Sequence, residues 1–528
     1  MASAKPRIPK RPVRPINWPR PNSLRRVAYY AFILFIVASM TAIVGSLVFG
    51  VVADKPEFLY LSAAILMSAM PILIGFSRGR NFDLFEPINV AAAAIFFGTT
   101  ARAFYLIFAS HRQQAKFLMM QQTFEDINSN IIWIVLGVAL FCVGYSIQVG
   151  RFKLERVSQL ANYSLNRERL NLALLACLAL TLIGAYSYAR YFGISLADNI
   201  FAQSYKRTFQ YVNDSGEIVR GAGWQFQFAQ IALFGAFVLI AALFAQKIRL
   251  TFYSAGLLAA LLLAGSYIPF ISQSRTPIIL LLFNVCVIGY YYKRLSMRSA
   301  VVGVLLIAMI VSVMGTVRNE NSGSGIEREG ALDMTVGSGN GFDAVRSTAI
   351  ITRMRERQLY MYGASYAAIP FSVIPRAVWP GKPKTALGQF VKRDLFNKRA
   401  EYLGWPPGFV AEAFINFGYI GILFIPFFIG IGTRAYYETF RPLLGVSFPI
   451  TVVYVALLYR LAFSCIELNL AQGVVSALVI LIPVGLILVG SGNWVERRDA
   501  ARKNPARVRQ SPRARFAQDA QRQADLAE

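Results

Sequence analysis

Three arginines lie at positions where their guanidinium groups could bind phosphate. Arg275 lies between two apolar runs in SYIPFISQSRTP, and Arg376 lies in VIPRAVWPGKP, where three prolines restrict the backbone. Arg460 lies within another apolar run, in LYRLAFSCIEL. A guanidinium group donates two parallel hydrogen bonds to phosphate oxygens, and a charge in or beside a membrane span is a candidate functional residue. The three positions therefore predict a site for a phosphate or diphosphate group.

Two carboxylates could act together with these arginines. Glu412 lies at the start of an apolar run, in GFVAEAFINFG, and Glu467 follows Arg460 by seven residues. Seven residues make nearly two turns of an α-helix, so Arg460 and Glu467 would share a face. Such a pair either serves a ligand or forms a structural ion pair at the end of a helix.

The segment 318–409 is polar and rich in cations. It contains thirteen Lys or Arg against eight Asp or Glu. Such a surface can bind phosphate groups, but a solvated face that contacts anionic lipid has the same composition. Trp379 could dock this segment on the bilayer or stack on a sugar ring. The predicted substrate-binding residues are Arg460, Lys382, Lys384, Arg220, Trp379 and Asn416.

The sequence lacks the motifs of nucleotide, metal and triad chemistry. It has no P-loop, no Gly-rich fingerprint between a strand and a helix, and no DxD pair on an outer segment. The single histidine, His111, excludes a Ser-His-Asp set, and the four cysteines lie apart in apolar runs. We therefore expect neither a cofactor nor a metal ion, and we expect an activated lipid as the energy source.

Long apolar runs must position these residues. Hydrophobic residues make up 56% of the chain and charged residues 15%. A run of about 20 apolar residues crosses a bilayer as a helix, and continuous runs argue against a β-barrel. We predict an all-α polytopic membrane protein with about twelve transmembrane helices. The predicted spans are roughly 27–51, 57–76, 88–109, 130–149, 169–190, 225–246, 250–270, 276–292, 299–317, 410–432, 446–466 and 470–491.

The charge pattern predicts the topology. Short connections on one side are basic, which places them and both termini in the cytoplasm. The net charge of +27 arises largely from these connections and the tails, so we expect no nucleic-acid partner. The predicted organisation is a basic, Pro-rich cytoplasmic tail (1–26), transmembrane helices one to nine (27–317) with an outer loop at 191–224, a large outer loop (318–409), transmembrane helices ten to twelve (410–491) and a basic cytoplasmic tail (492–528).

Three motifs resemble those of a known enzyme family. They are SQSRTPIILLLF, IPRAVWPGKPKT and PPGFVAEAFINFGYIG, all within about 265–432. They are similar to an S-R-x element before a span, an I-P-R-x-x-W-P-x-K-P element in a large periplasmic loop, and a G-E-x-x-x-N-F-G-like element that opens the next span. These elements are typical of the bacterial O-antigen polymerase (Wzy-type) family of oligosaccharide repeat-unit polymerases.

The resemblance implies a GT-C-like, metal-independent glycosyltransferase of the bacterial inner membrane, with its active site facing the periplasm. It would transfer a growing glycan from undecaprenyl diphosphate to a lipid-linked repeat unit. Its partners would be the undecaprenyl-diphosphate-linked oligosaccharide, membrane lipids, a chain-length regulator and a flippase. The related O-antigen ligases use a histidine in the large loop, and this loop contains none. The alternatives are an O-antigen ligase-type glycosyltransferase, and a lipid-linked oligosaccharide transporter or a component of an assembly complex.

The resemblance also implies roles for individual residues. Arg275, Arg376 and Glu412 occupy the catalytic motif positions. The two arginines would stabilise the leaving diphosphate, with help from Arg460 or Lys382. Glu412 would act as general base on the acceptor hydroxyl. Alternatively, Glu412 caps a helix or pairs with one of the arginines.

Overall fold

The computed structural model describes a bundle of helices. The described residues are 21–77, 83–109, 123–149, 163–192, 211–212, 218–219, 223–272, 274, 276–295, 303, 342–374, 379, 387–397 and 404–493. The helices are α1 (Pro21–Val52), α2 (Pro56–Ser77), α3 (Pro87–Phe96), α4 (Arg102–Phe108), α5 (Phe124–Ser146), α6 (Arg167–Phe192), α7 (Gly223–Ala229), α8 (Ile231–Phe244), α9 (Phe252–Ile271), α10 (Thr276–Tyr291), α11 (Ala344–Arg357), α12 (Ala364–Ala367), α13 (Gly408–Phe440), α14 (Phe448–Leu458), α15 (Cys465–Glu467) and α16 (Leu470–Ser491).

Short elements connect these helices. Four short strands form two antiparallel pairs. Strand β1 (Ser164–Leu165) pairs with β4 (Gly492–Asn493), and β2 (Tyr211–Val212) pairs with β3 (Ile218–Val219). There are 3₁₀ turns at Pro370–Val373 and Arg441–Leu443, and π-helical turns at Phe97–Ala101, Phe390–Leu395 and Tyr459–Ser464.

Within the described residues, nine helices are long and apolar enough to cross a membrane. They are Pro56–Ser77, Pro87–Phe108, Phe124–Ser146, Arg167–Tyr191, Trp224–Phe244, Phe252–Ile271, Gly408–Leu443, Phe448–Glu467 and Leu470–Ser491. Two shorter apolar helices, Ile36–Val52 and Thr276–Tyr291, fall on two further predicted spans. The prediction of an all-α polytopic membrane protein is confirmed. The predicted span 299–317 lies, except for residue 303, outside the described residues.

Local sequence explains where several helices begin. Thr123 and Asp126 form a capping box at the start of α5, in which each side chain accepts a backbone N–H of the other. Pro87 lies at the start of α3, where the N–H that proline lacks would have had no helical partner. The described part of α1 begins at Pro21, within the predicted tail 1–26.

Glycines bring α5 and α13 into close contact. A Cβ atom at Gly144 would lie 2.1 Å from the carbonyl oxygen of Phe427, and one at Gly430 would lie 2.2 Å from that of Phe141. Small residues allow helix backbones to approach in this way. Around this pair, one hydrophobic core joins α2, α3, α4, α5, α11 and α13. A second core joins α6, α8, α9, α10, α14 and α16.

Part of the predicted outer loop 318–409 is folded into the first core. Helix α11 buries most of its first half, and its N-terminus is capped by the Asp343 carboxylate. Asn130 on α5 donates a hydrogen bond of 3.0 Å to the hydroxyl group of Thr352. The sequence predicts only a loop here because the four arginines of AVRSTAIITRMRER lower its hydropathy.

Helix α13 is interrupted at Gly418. The backbone leaves the helical conformation at Phe417 (φ −138°, ψ 15°) and at Gly418 (φ 60°, ψ −145°). The latter conformation is readily adopted only by glycine. Near this break, the carbonyl oxygen of Ile415 accepts the N–H of Met361 at 2.9 Å. Helix α13 therefore has a short part, 408–416, which is buried throughout, and a long part after Gly418.

Candidate functional site

A cavity of about 330 Å³ lies between α7, α8, α10, α16 and the π-helical turn Tyr459–Ser464. It lies near the ends of α7, α10 and α16 that the sequence predicts to face outward. Its polar lining residues are Gln227, Gln230, Ser274, Thr276, Asn284, Arg460, Gln472 and Ser476. The rest of the lining is apolar. A cavity of this size, with a few polar groups in apolar walls, is typical of a site for a small ligand.

Arg460 is the charged member of the described lining. It lies in the π-helical turn, a local widening that is common at functional sites. Its guanidinium carbon lies 5.7 Å from the centre of the Tyr459 ring. Among the described residues, no acceptor binds its Nε. Because Arg460 is a cation that lines the cavity, its guanidinium group is suited to bind an anion that enters.

The π-helical turn also changes the relation between Arg460 and Glu467. The sequence predicts that they share a face, on the assumption of a regular α-helix. The turn intervenes, and α15 ends at Glu467. Glu467 lies within electrostatic range of both Arg460 and Arg346. Its negative charge therefore interacts with Arg346 as well as with Arg460.

Asn284 is a residue of the cavity wall that no sequence motif indicates. It lies on α10, on the same face as Thr276 and Leu280, because four-residue spacing returns to one side of a helix. The residue is only 2% exposed. No donor from the described part of the chain reaches its Oδ1. The available sequence signal is an amide side chain in the apolar run LLLFNVCV.

The predicted cationic residues are only partly described. Ser274 and Thr276, the neighbours of Arg275 in the chain, both line the cavity. Arg275 itself lies outside the described residues, as do Arg376, Lys382, Lys384 and Arg220. Their predicted roles stay predictions. The two residues that flank Arg275 in the chain therefore place part of its motif in the wall of the Arg460 cavity.

Glu412 caps the N-terminus of α16. Its Oε2 accepts the N–H of Leu470 at 2.5 Å, and its Oε1 accepts the N–H of Ala471 at 3.4 Å. The Nδ2 atom of Asn469 also donates to Oε1 at 3.1 Å, and the Ser365 hydroxyl approaches it at 3.5 Å. A carboxylate at this position satisfies backbone N–H groups and interacts favourably with the helix dipole. The predicted role of Glu412 as a general base stays a prediction. The contacts that Glu412 makes are those of a helix cap, the other role considered for it.

Asn416 lies beside Glu412 in the same buried cluster. Its Nδ2 donates to the Ser365 hydroxyl at 2.9 Å and to the carbonyl oxygen of Glu412 at 2.9 Å. The Ser365 hydroxyl lies 3.2 Å from its Oδ1. Asn416 therefore joins the segment that contains α12 to the short part of α13. It does not belong to the lining of the Arg460 cavity.

Trp379 lies apart from both clusters. Its side chain is 39% exposed and packs edge-on against Phe371, with ring centroids 5.7 Å apart. This exposure is compatible with either predicted role, docking on a bilayer or stacking on a sugar. The structure does not bring Trp379 into the lining of the Arg460 cavity.

Arg346, one of the cations of segment 318–409, belongs to a buried ionic network. The Asp343 carboxylate lies 3.2 Å from Nε of Arg102 and 3.2 Å from a terminal nitrogen of Arg346. Arg346 also donates to the carbonyl oxygen of Pro406 at 3.2 Å. Burial lowers the pKa of Arg346, and the charge of Asp343 partly offsets this effect. Arg346 therefore stabilises the packing of α11 and is not part of a solvated cationic face.

Another polar cluster lies at the opposite, predicted cytoplasmic end. Oε1 of Glu86 accepts hydrogen bonds from Tyr145 at 2.8 Å and from Arg434 at 2.9 Å. Nearby, Asp83 accepts a hydrogen bond from Tyr291 at 2.9 Å. Burial raises the pKa of Asp83, and the Tyr291 hydrogen bond opposes the shift. The cluster connects helix ends that the sequence places on one side of the membrane.

Comparisons of the chain with protein-family models, characterised proteins and solved structures found no match. The functional argument therefore depends on the motifs and on the geometry of the Arg460 cavity.

Proposed function

We propose that this protein is a polysaccharide polymerase of the O-antigen type in the bacterial inner membrane. It transfers a growing glycan from undecaprenyl diphosphate to a lipid-linked repeat unit at the periplasmic face. The proposed fold class is GT-C-like, and a chain-length regulator and a flippase are the proposed protein partners. Membrane lipids surround the helices and supply the route by which both substrates reach the site.

The Arg460 cavity is the observation that carries this proposal. Its position at the predicted outer ends of the helices matches the side on which lipid-linked repeat units are polymerised. Arg460 contributes a cation to the lining, and Ser274 and Thr276, which flank Arg275 in the chain, line the same cavity. A cation next to an apolar wall suits a ligand with a diphosphate and a hydrocarbon chain.

In the proposed reaction, the bond between the anomeric carbon of the donor glycan and a diphosphate oxygen breaks. An acceptor hydroxyl forms the new bond to that carbon, and its proton is taken up by the released diphosphate. Positive charge develops at the sugar, as in glycoside hydrolysis, and negative charge develops on the diphosphate. Arg275, Arg376 and Arg460 stabilise the leaving diphosphate, because fixed cations in a cavity with little water act strongly on developing charge.

Glu412 has a positioning role in this proposal. Its hydrogen bonds hold the first residues of α16, and the next residue, Gln472, lines the cavity. To act as a general base, the carboxylate would have to release these donors and reach the acceptor. Its present contacts instead fix the helix that forms one wall of the site.

A transporter of lipid-linked oligosaccharides is the second candidate function. Broken helices near ionisable residues are typical of transporter binding sites. The interruption of α13 at Gly418 and the π-helical turn at Arg460 have this character. A transporter moves its ligand unchanged, whereas a polymerase forms a new glycosidic bond.

An assay in detergent distinguishes the two functions. Purified full-length protein is incubated with lipid-linked repeat units, and the products are separated by gel electrophoresis. A polymerase produces a ladder of longer glycans without any membrane compartment. If the purified protein binds the lipid-linked unit but never lengthens it, the polymerase proposal is wrong and transport is favoured.

Substitution of the predicted arginines tests the site. Lysine keeps the charge but loses the paired hydrogen bonds of a guanidinium group. Arg275→Lys and Arg376→Lys should each slow polymer formation by roughly 10²–10³, the typical loss of a transition-state donor. Normal polymer from both variants, at wild-type expression, would contradict the role of these arginines.

A further inference from the structure

We infer that the segment 359–374, which lies between α11 and the Arg376 motif, is inserted into the interfacial layer of the bilayer and contacts phospholipid there. Its Tyr362 side chain is 80% exposed. The sequence alone assigns this segment to the large outer loop, outside the membrane. The inference does not depend on the proposed function, since it concerns only where the segment lies.

The long part of α13 shows which surface of the protein faces lipid. Ile420, Phe424 and Phe428 are exposed apolar side chains on a helix that is long and apolar enough to cross a membrane. Their spacing of four residues places them on one face of the helix. Exposed apolar side chains within a span contact lipid, because the bilayer core contains no water. Phe417, beside the break at Gly418, is also exposed and extends this lipid-facing stripe beyond the long part of the helix.

The segment 359–374 packs directly on this end of the stripe. A Cβ atom at Gly363 would lie 2.8 Å from the Phe417 ring, so the two residues are in close contact. The Tyr366 ring stacks on the Phe417 ring, with centroids 6.2 Å apart. Tyr362 immediately precedes Gly363 in the chain. Its exposed ring therefore adds to the lipid-facing stripe of α13 and does not form a separate surface.

A contact between α13 and α5 gives the depth of this region in the bilayer. The Tyr419 ring lies 4.3 Å from the Trp133 ring of α5, another helix able to cross a membrane. Helix α5 begins with the polar residues FEDINSN, and its apolar run starts with IIW, which ends at Trp133. Trp133 therefore lies at the edge of the hydrocarbon, where amphipathic aromatic rings are favoured. Tyr419 lies in the same layer.

A series of ring contacts connects Tyr362 to that layer. The Tyr419 ring packs edge-on against Phe414 at 5.1 Å, and Phe414 packs in the same way against Tyr360 at 5.9 Å. The Tyr360 and Tyr362 rings lie 6.4 Å apart. An exposed tyrosine at this depth contacts acyl chains with its ring and lipid headgroups with its hydroxyl group.

Continuity with the span favours lipid over a soluble partner as the occupant of this surface. A protein or glycan that covered Tyr362 from the aqueous side would meet Phe417 and Ile420 at a depth where the bilayer already surrounds α13. The segment ends at Ile374, the first residue of IPRAVWPGKPKT. The chain therefore enters the Arg376 motif from the surface of the membrane, and not from a loop that extends into water.

The test measures depth by fluorescence quenching, with the full-length protein reconstituted into phospholipid vesicles. A bimane fluorophore is attached to Tyr362→Cys, an exposed position at which the label displaces no core side chain. Lipids carry a nitroxide quencher either near the headgroup or near the end of the acyl chain, and iodide is the aqueous quencher. We expect the shallow nitroxide to quench about twofold more strongly than the deep one or iodide.

Three further positions calibrate the measurement. Ile420→Cys lies at the same end of the stripe and should show the same pattern as Tyr362→Cys. Phe428→Cys lies eight residues further on, about 12 Å along the helix, and should be quenched mainly by the deep nitroxide. Glu356→Cys replaces an exposed carboxylate on α11 and should be quenched mainly by iodide. The native cysteines are buried or half-buried, and the unsubstituted protein gives their background.

Each result has a distinct meaning. Shallow quenching at Tyr362→Cys, in the pattern of Ile420→Cys, supports the inference. Quenching mainly by iodide places the segment in water and overturns it, and quenching by none of the three shows that protein covers Tyr362 and also overturns it. If Ile420→Cys is not quenched by lipid, the stripe does not face the bilayer and the inference fails at its premise. The measurement needs neither substrate nor turnover, so all of these results leave the proposed function standing.

Discussion

The Arg460 cavity and the cluster around Glu412 are both buried, polar and close to the start of α16, yet they differ in their hydrogen bonds. Glu412 receives donors from two backbone N–H groups and from Asn469. Arg460 and Asn284 each have a polar atom without a partner in the described structure, and both line an open volume. Satisfied groups stabilise a fold, whereas a side chain that lines a cavity can also contact a ligand there.

This difference assigns separate roles to two of the three motifs that resemble the polymerase family. The EAFINFG motif contains the Glu412 cap, the Asn416 link and the Gly418 interruption, all of which shape α13 and its contact with α16. The SQSRTP motif adjoins the cavity through Ser274 and Thr276. We therefore expect substitutions in the first motif to affect stability and substitutions around the cavity to affect activity.

Arg460→Lys should give the largest effect on the cavity side of this comparison. The charge is kept, but the fork of N–H donors is lost. We expect the rate of polymer formation to fall roughly 10²–10³, equivalent to about 2.7–4 kcal/mol. The thermal unfolding midpoint should stay at its wild-type value, since lysine keeps the charge and the Nε of Arg460 has no hydrogen-bond partner within the described residues. A normal rate would remove the cavity from the proposed site.

Glu412→Ala should give the largest effect on stability. The substitution leaves the N–H groups of Leu470 and Ala471 buried without their acceptor. We expect a loss of about 3 kcal/mol, measured as a lower midpoint of thermal unfolding by tryptophan fluorescence. Glu356→Ala removes an exposed carboxylate as a control and should be almost silent.

Glu412→Gln sharpens the same test. Glutamine keeps one carbonyl oxygen as an acceptor and should give an intermediate midpoint. If this variant is as stable as the wild type but polymerises more than about a hundredfold more slowly, a loss of about 2.7 kcal/mol in barrier, then Glu412 is the general base. That result would contradict the separation of a stabilising cluster from a catalytic cavity.

Gly418→Ala tests the interruption of α13 with a smaller expected effect. A Cβ atom there would lie 3.7 Å from the Tyr360 ring, which is an ordinary contact, so the cost comes from the backbone conformation. We expect a loss of about 1–2 kcal/mol in the same thermal assay. Gly432→Ala, in the same helix and with no atom near the added Cβ, should be neutral or stabilising. Equal results for the two variants would show that α13 does not need its interruption.

The sequence predicted the spans well because hydrophobicity is a local property. Helix α13 shows the limit of this information. The run after Gly408 is apolar enough to be predicted as one span, but its first part is a separate buried piece. The positive φ of Gly418 depends on the partners that the interrupted backbone finds, such as Met361. Those partners lie far away in the chain, so local sequence could not indicate them.

The site was less predictable because its properties depend on which groups lack partners. The position of Arg460 in an apolar run was sufficient to predict it as a substrate-binding residue. The relation to Glu467 was not predictable, since the π-helical turn changes the helical phase between them. Asn284 gave a weaker signal, because an amide in a span usually pairs with a neighbouring helix. Only the three-dimensional structure shows that its oxygen has no partner among the described residues.

Arg353→Lys should give the smallest effect and tests whether all cations of segment 318–409 are equivalent. The Arg353 side chain is 42% exposed and pairs with Glu356 at 2.7 Å. An exposed pair of this kind contributes about 0.5 kcal/mol or less, and lysine preserves its charge. We therefore expect normal stability and normal polymer length, measured beside Arg376→Lys at matched expression. If Arg353→Lys reduces polymer as strongly as Arg376→Lys, the cations act through their total charge, and guanidinium geometry at particular positions is not what the site requires.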